Sequence, residues 1–157
     1  MCRRLAGRHG GFSLLELMLV LAITAIFAAM AAPRYGRASA RYRLDLATRR
    51  VAADLRLAQT HAKVTSSSRT VCFSPGSAQY QLLNVPALDG ASGFYTVLLS
   101  AEPYRASLAA VILSNGASQI TFSGWGLPDT GGTVVLSTGG QQKTITVAAD
   151  TGQISIP

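Results

Sequence analysis

The chain lacks most of the side chains that catalysis draws on. It has two histidines, His9 and His61, and two cysteines, Cys2 and Cys72, far apart in the sequence. No Cys/His/acid cluster has metal-ligand spacing, so no metal site is expected. His61 stands alone in a helical stretch, where a surface or packed residue is the expectation. Beyond Arg69 there are many serines and no histidine base, which argues against a serine triad. Gly124-Trp125-Gly126 is too short for a phosphate loop and reads as a turn, with Trp125 anchoring the core. Cys72 lies in the apolar run Thr70-Val71-Cys72-Phe73 and is expected to be a small buried residue. No catalytic constellation and no cofactor site emerge, and there is no long repeat or low-complexity tract.

Acidic residues are scarce too, and unevenly placed. Up to Arg69 there are twelve Lys and Arg against Glu16, Asp45 and Asp54, a net charge of +9. From Thr70 onward Arg105 and Lys143 face Asp89, Glu102, Asp129 and Asp150, a net charge of −2. The basic character belongs to the N-terminal third. Beside an apolar run it favours anionic lipid headgroups, with nucleic acid as the competing partner.

What the chain has in abundance is an apolar run. Residues 12–32 carry one charge, Glu16, among Leu, Ala, Ile, Val, Met and Phe. At about 1.5 Å per residue they form a helix of roughly 31 Å, the thickness of a bilayer's hydrocarbon core. Hydropathy leaves three candidates: a plain anchor, a secretory signal peptide, or the signal of a filament subunit. Ala29-Met30-Ala31 satisfies the small-residue rule for signal peptidase, which would release a soluble secreted binding module. The stretch is long for a signal core, however, and a carboxylate in a membrane helix marks a functional site.

Gly10-Gly11-Phe12-Ser13-Leu14-Leu15-Glu16-Leu17 resembles the prepilin peptidase signal of type IV pilins and type II secretion pseudopilins. The shared features are a short basic leader ending in Gly11, an aromatic first mature residue, Phe12, and an acid at the fifth mature position, Glu16. The apolar helix and Pro33, where the family commonly carries a helix-bending proline, extend the likeness. The resemblance implies cleavage between Gly11 and Phe12 by prepilin peptidase on the cytoplasmic face, and N-methylation of Phe12. Cysteine and histidine of the leader, Cys2 and His9, would then be lost. Cleavage creates an amine on Phe12 at the end of an apolar helix, where an unpaired charge is heavily penalised. Glu16 supplies a partner, either on a neighbouring subunit or within the chain at i, i+4. The family topology puts the leader inside and the remainder outside. Arg34, Arg37, Arg41, Arg43, Arg49 and Arg50 outnumber Arg3, Arg4 and Arg8, so the positive-inside count points the other way.

Past Pro33, which should bend the helix, Leu44, Ala47, Val51, Leu55, Ala58 and Ala62 recur at spacings of three and four. That is an apolar helical stripe, with Arg41, Arg49, Arg56 and Lys63 away from it. Asp45 and Arg49 can pair at i, i+4, and Ser66-Ser67-Ser68 closes the pattern. Short β runs follow at 69–73, 79–83, 94–99, 110–114, 119–122, 133–137, 144–148 and 153–156, separated by turn residues such as Asn115-Gly116 and Gly139-Gly140. Alternation in Ile145/Val147 and Ile154/Ile156 predicts a terminal hairpin with one buried face.

The order of these features, ending in Thr151-Gly152-Gln153-Ile154, resembles the GspH/FimT group of minor pseudopilins. The implied fold is α+β: a long N-terminal helix, its first half membrane-spanning, packed on an antiparallel β-sandwich-like head. The expected organisation is a leader at 1–11, a transmembrane and filament-core helix at 12–32, an amphipathic continuation at 33–66 and a β-rich periplasmic head at 67–157. Expected partners are other pilins of the filament, prepilin peptidase, the inner-membrane assembly platform and membrane lipid. DNA-binding members of the group carry arginines in the C-terminal tail. The tail here, Gly152 to Pro157, has none, which speaks against nucleic acid. A structural subunit of a type II secretion pseudopilus is the leading expectation, and a minor pilin of a type IV pilus the alternative.

Overall fold

The structure is a computed structural model that describes residues 11–86 and 95–157, without the side chains of 31–33. The leader before Gly11 and the start of the third strand at Phe94 lie outside the described residues. The chain forms two compact units, Met1–Arg37 and Ala38–Pro157.

One helix, α1, runs from Leu14 to Thr65, 52 residues. Ser13 sets its start: the Ser13 Oγ accepts the Glu16 N–H at 3.1 Å, and its carbonyl accepts the Leu17 N–H. This satisfies one of the donors that a helix N-terminus leaves unpaired. At the other end Ser66 takes a left-handed φ of 48°. The Ser67 N–H reaches the Ala62 carbonyl and the Ser66 N–H that of Lys63, the double bond of a Schellman stop. The expected closing serines are therefore the ones that end the helix.

In the first unit every described side chain from Gly11 to Met30 is exposed. In the second unit the helix is amphipathic as predicted. Leu44, Ala47, Val51, Leu55, Ala58 and Ala62 are all buried, while Arg41, Arg49, Arg56 and Lys63 are exposed.

Two antiparallel four-stranded sheets share the core with this stripe. The first has the order β3-β2-β1-β5, from β1 (Arg69–Ser74), β2 (Gln79–Leu83), β3 (Tyr95–Leu98) and β5 (Gln119–Phe122). The second has the order β4-β6-β7-β8, from β4 (Ser107–Leu113), β6 (Gly132–Thr138), β7 (Gln141–Val147) and β8 (Ile154–Ser155). Alternation puts Val71, Leu82 and Ile120 in register across the first sheet, and Val134 with Ile145, then Val147 with Ile154, across the second. All seven are buried, and each such side chain stabilises the fold by about 1.5–3 kcal/mol. The predicted terminal hairpin is β7 with β8.

Two details fix the second sheet. The β6–β7 turn is Gly139-Gly140, both at positive φ, the two-residue turn whose twist suits a hairpin. Gly132 lies so close to β4 that a Cβ there would sit 2.2 Å from the Ile112 carbonyl, so no larger residue fits. In β4 the register slips between Leu108 and Ala110. This bulge explains why the strand begins at Ser107, before the predicted Ala110: the extra residue interrupts the in–out alternation.

Two expectations for single residues fail. Trp125 is 86 % exposed instead of anchoring the core. The turn itself is present, closed by the Gly126 N–H on the Ser123 carbonyl at 2.7 Å, and Trp125 sits at its corner, away from the strands. Cys72 is half-buried, not core. Val71 and Phe73 take the inward positions of β1, so alternation turns Cys72 outward, where its thiol meets Gln119 Oε1 at 3.7 Å. Partial burial pushes that thiol's pKa up, away from the reactive thiolate.

Candidate functional site

The residues of the expected processing motif fall at the start of α1. Gly11, Phe12 and Ser13 precede the helix in non-helical backbone, with Phe12 83 % exposed. A Cβ at Gly11 would meet nothing within 4 Å. The Gly11–Phe12 peptide bond thus lies outside the helical hydrogen-bond ladder. Glu16 lies in the first turn, exposed, with no ion pair among the described residues. The helix position of Glu16, one turn on from Phe12, follows from Ser13 as the cap. Pro33 falls within the span of α1.

This helix is long and apolar enough to cross a membrane, and none of its most apolar stretch is buried. Leu14, Leu15, Met18, Phe27 and Met30 each expose about two thirds of their surface or more. Contiguous exposed apolar surface of this size marks contact with lipid or protein. A surface with no catalytic groups and one acid can insert, pack and pair charge.

The second unit holds the polar groups that sequence reasoning missed. Asp54 is buried on α1; its carboxylate accepts the Tyr80 hydroxyl at 2.5 Å, the Arg50 Nε at 3.1 Å and the Tyr95 hydroxyl at 3.3 Å. Arg50 also donates to the Tyr95 hydroxyl. Burial, and then the Asp54 charge, push the Tyr80 and Tyr95 phenols above their ordinary pKa. Burial lowers the pKa of Arg50, but the Asp54 carboxylate together with Tyr95, Tyr104 and Tyr80 around it raises it above its ordinary value. The cluster pins α1 to β2 and to β3. Its signal was present in the spacing: Asp54 follows Val51 by three and precedes Ala58 by four, so it sits on the apolar stripe.

Nearer the start of this unit the expected Asp45–Arg49 pair forms at 2.7 Å, and Lys143 of β7 joins it at 2.5 Å. Lys143, then Arg49, hold the Asp45 carboxyl below its usual range. A cleft of about 450 Å³ lies beside this pair, lined by Arg41, Tyr42 and Gln142 among others. His61 accepts from Arg69 Nε at 3.0 Å, a packed surface histidine. Among the described residues no group of three or more His, Cys, Asp or Glu is placed to hold a metal.

Comparison with known proteins adds to this geometry. The family pattern described as type II transport protein GspH matches residues 47–151. The prokaryotic N-terminal methylation motif matches residues 7–32. No curated protein sequence matches the chain. Two crystal structures of the Pseudomonas aeruginosa PAO1 type IV minor pilin FimU are similar in fold. One aligns with a TM-score of 0.56 at 13 % identity, covering 74 % of this chain and 90 % of that one. The other gives a TM-score of 0.54 at 12 % identity, covering 73 % and 92 %.

Proposed function

Because the chain belongs to the GspH family of type II transport proteins, a pilin-like family of structural subunits, we propose that it is a minor pseudopilin of a type II secretion system. The observation that carries this reading is a helix whose apolar first half has no cover from its own chain, joined to an N-terminal methylation motif. Such a surface is satisfied first by a bilayer and then by the helices of neighbouring subunits.

In this reading residues 1–11 are a leader removed by prepilin peptidase, and residues 12–32 span the inner membrane. Residues 33–66 carry the helix onward and 67–157 form a periplasmic head. Cleavage between Gly11 and Phe12 frees an amine, which the peptidase methylates. Inside a filament that cation lies among apolar helices, and the Glu16 carboxylate of a neighbour neutralises it. Pro33 lacks a donor for the helical ladder and gives the helix its bend. The work is insertion and assembly, with no reaction catalysed and no cofactor, and nucleic acid is not a partner.

The family description supports the pseudopilus reading, and the same helix and head would serve a type IV pilus. Deleting the gene separates them. A pseudopilin deletion stops export of folded proteins and leaves surface pili and their retraction intact; the reverse pattern establishes a minor pilin.

A further inference from the structure

The arginines that follow the apolar run are unexplained by assembly or by the fold. Arg34 and Arg37 are exposed on α1 in the first unit, with Tyr35 beside them 80 % exposed. Spaced i, i+3, the two arginines share one side of the helix. Neither has an intrahelical partner, because positions three and four away hold Met30, Ala31, Pro33, Ala38, Ala40 and Arg41 and no acid. From Leu17 to Leu44 the chain has no acid at all, and the ion pairs found among the described residues use Arg49, Arg50, Arg105 and Lys143. On the translocated side of a membrane, uncompensated arginines also run against the usual charge bias. A cost of that kind needs an offsetting contact.

We propose that Arg34 and Arg37 bind the phosphates of anionic lipids in the outer leaflet of the inner membrane, with Tyr35 seated at the same interface. The proposal rests on residues 12–32 spanning the bilayer. If the hydrocarbon ends at residue 32, Arg34 and Arg37 lie about 3 and 8 Å beyond it, inside a headgroup layer about 5–8 Å deep. Guanidinium binds phosphate in a two-pronged geometry that ammonium cannot match. Tyrosine is enriched at this depth because its ring is apolar and its hydroxyl wet. The contact holds the unassembled subunit upright at a fixed depth, and it is given up when the subunit is drawn into a filament.

The test uses the full chain extracted in detergent with equimolar phosphatidylglycerol and phosphatidylcholine, with the retained lipids counted by native mass spectrometry. The expected result is a preference for phosphatidylglycerol of roughly thirtyfold, lost in Arg34→Gln/Arg37→Gln. It is kept in Arg49→Gln/Arg105→Gln, which removes the same charge from the other unit. Equal preference in the two variants overturns the proposal, as does a wild-type chain with no preference whose Arg34 and Arg37 instead cross-link to acids of a second subunit. A chain recovered from membranes without detergent overturns the membrane reading, and this proposal with it.

Discussion

One helix carries two acids in apolar surroundings, and they are treated in opposite ways. Asp54 lies on a buried stripe and is met by two phenols and a guanidinium of its own chain. Glu16 lies in an apolar run and is met by nothing in its own chain among the described residues. The same contrast extends to their neighbours: Val51, Leu55 and Ala58 are fully buried, whereas Leu14, Leu17 and Met18 are exposed. An acid that the chain satisfies itself serves stability. An acid left open beside open apolar surface serves whatever covers that surface, which in the proposed function is lipid and neighbouring subunits.

Breaking the satisfied acid should have the largest effect on stability. Asp54→Ala strands two buried phenols and a guanidinium, and should cost about 3–5 kcal/mol in denaturant unfolding of the detergent-solubilised chain. Tyr80→Phe keeps the ring and loses one charge-assisted hydrogen bond, costing about 1.5–3 kcal/mol. Adding it to Asp54→Ala should cost little more, because the two share one network. Gly132→Ala forces a Cβ against the Ile112 carbonyl and should cost about 1–3 kcal/mol, a control of similar size with no charge involved.

The pH dependence follows from the same residues. The folded state keeps the Tyr80 phenol protonated above the unfolded value of about 10. Its contribution is therefore full below pH 10 or so and is lost as pH rises beyond it. Tyr80→Phe should flatten the alkaline limb of stability against pH. Asp45, held low by Lys143, contributes above the ordinary aspartate value of 3.8 and loses that contribution as pH falls below it. Being largely solvated, this pair should give only a small acid limb, abolished by Lys143→Gln.

The smallest effect on stability belongs to Glu16. Glu16→Gln should move the unfolding midpoint by no more than about 0.5 kcal/mol equivalent, yet remove the subunit from cross-linked filaments. A large loss of stability would mean that Glu16 is satisfied within its own chain after all, and the contrast with Asp54 would collapse.

Sequence periodicity made most of this fold legible, because both periods are enforced by burial. The stripe from Leu44 to Ala62 and the alternation in β1, β2, β5 and β7 each have one face in the core. Legibility ended where burial is not periodic. The bulge at Ala109 hid the first half of β4, and a turn corner carried Trp125 outward although its size suggested a core. Cys72 was misjudged by composition, when alternation with Val71 and Phe73 already turned it outward. The Asp54 cluster needed a partner from distant strands, which no local pattern supplies. At the expected processing motif the structure adds that Ser13 caps the helix and leaves the Gly11–Phe12 bond outside it.

The mature N-terminus is where filament subunit and secreted protein differ most directly. Intact mass with N-terminal sequencing of the membrane-extracted chain should show a protein beginning at N-methylated Phe12, with residues 1–11 gone. A chain beginning near Ala32, released without detergent, would contradict it.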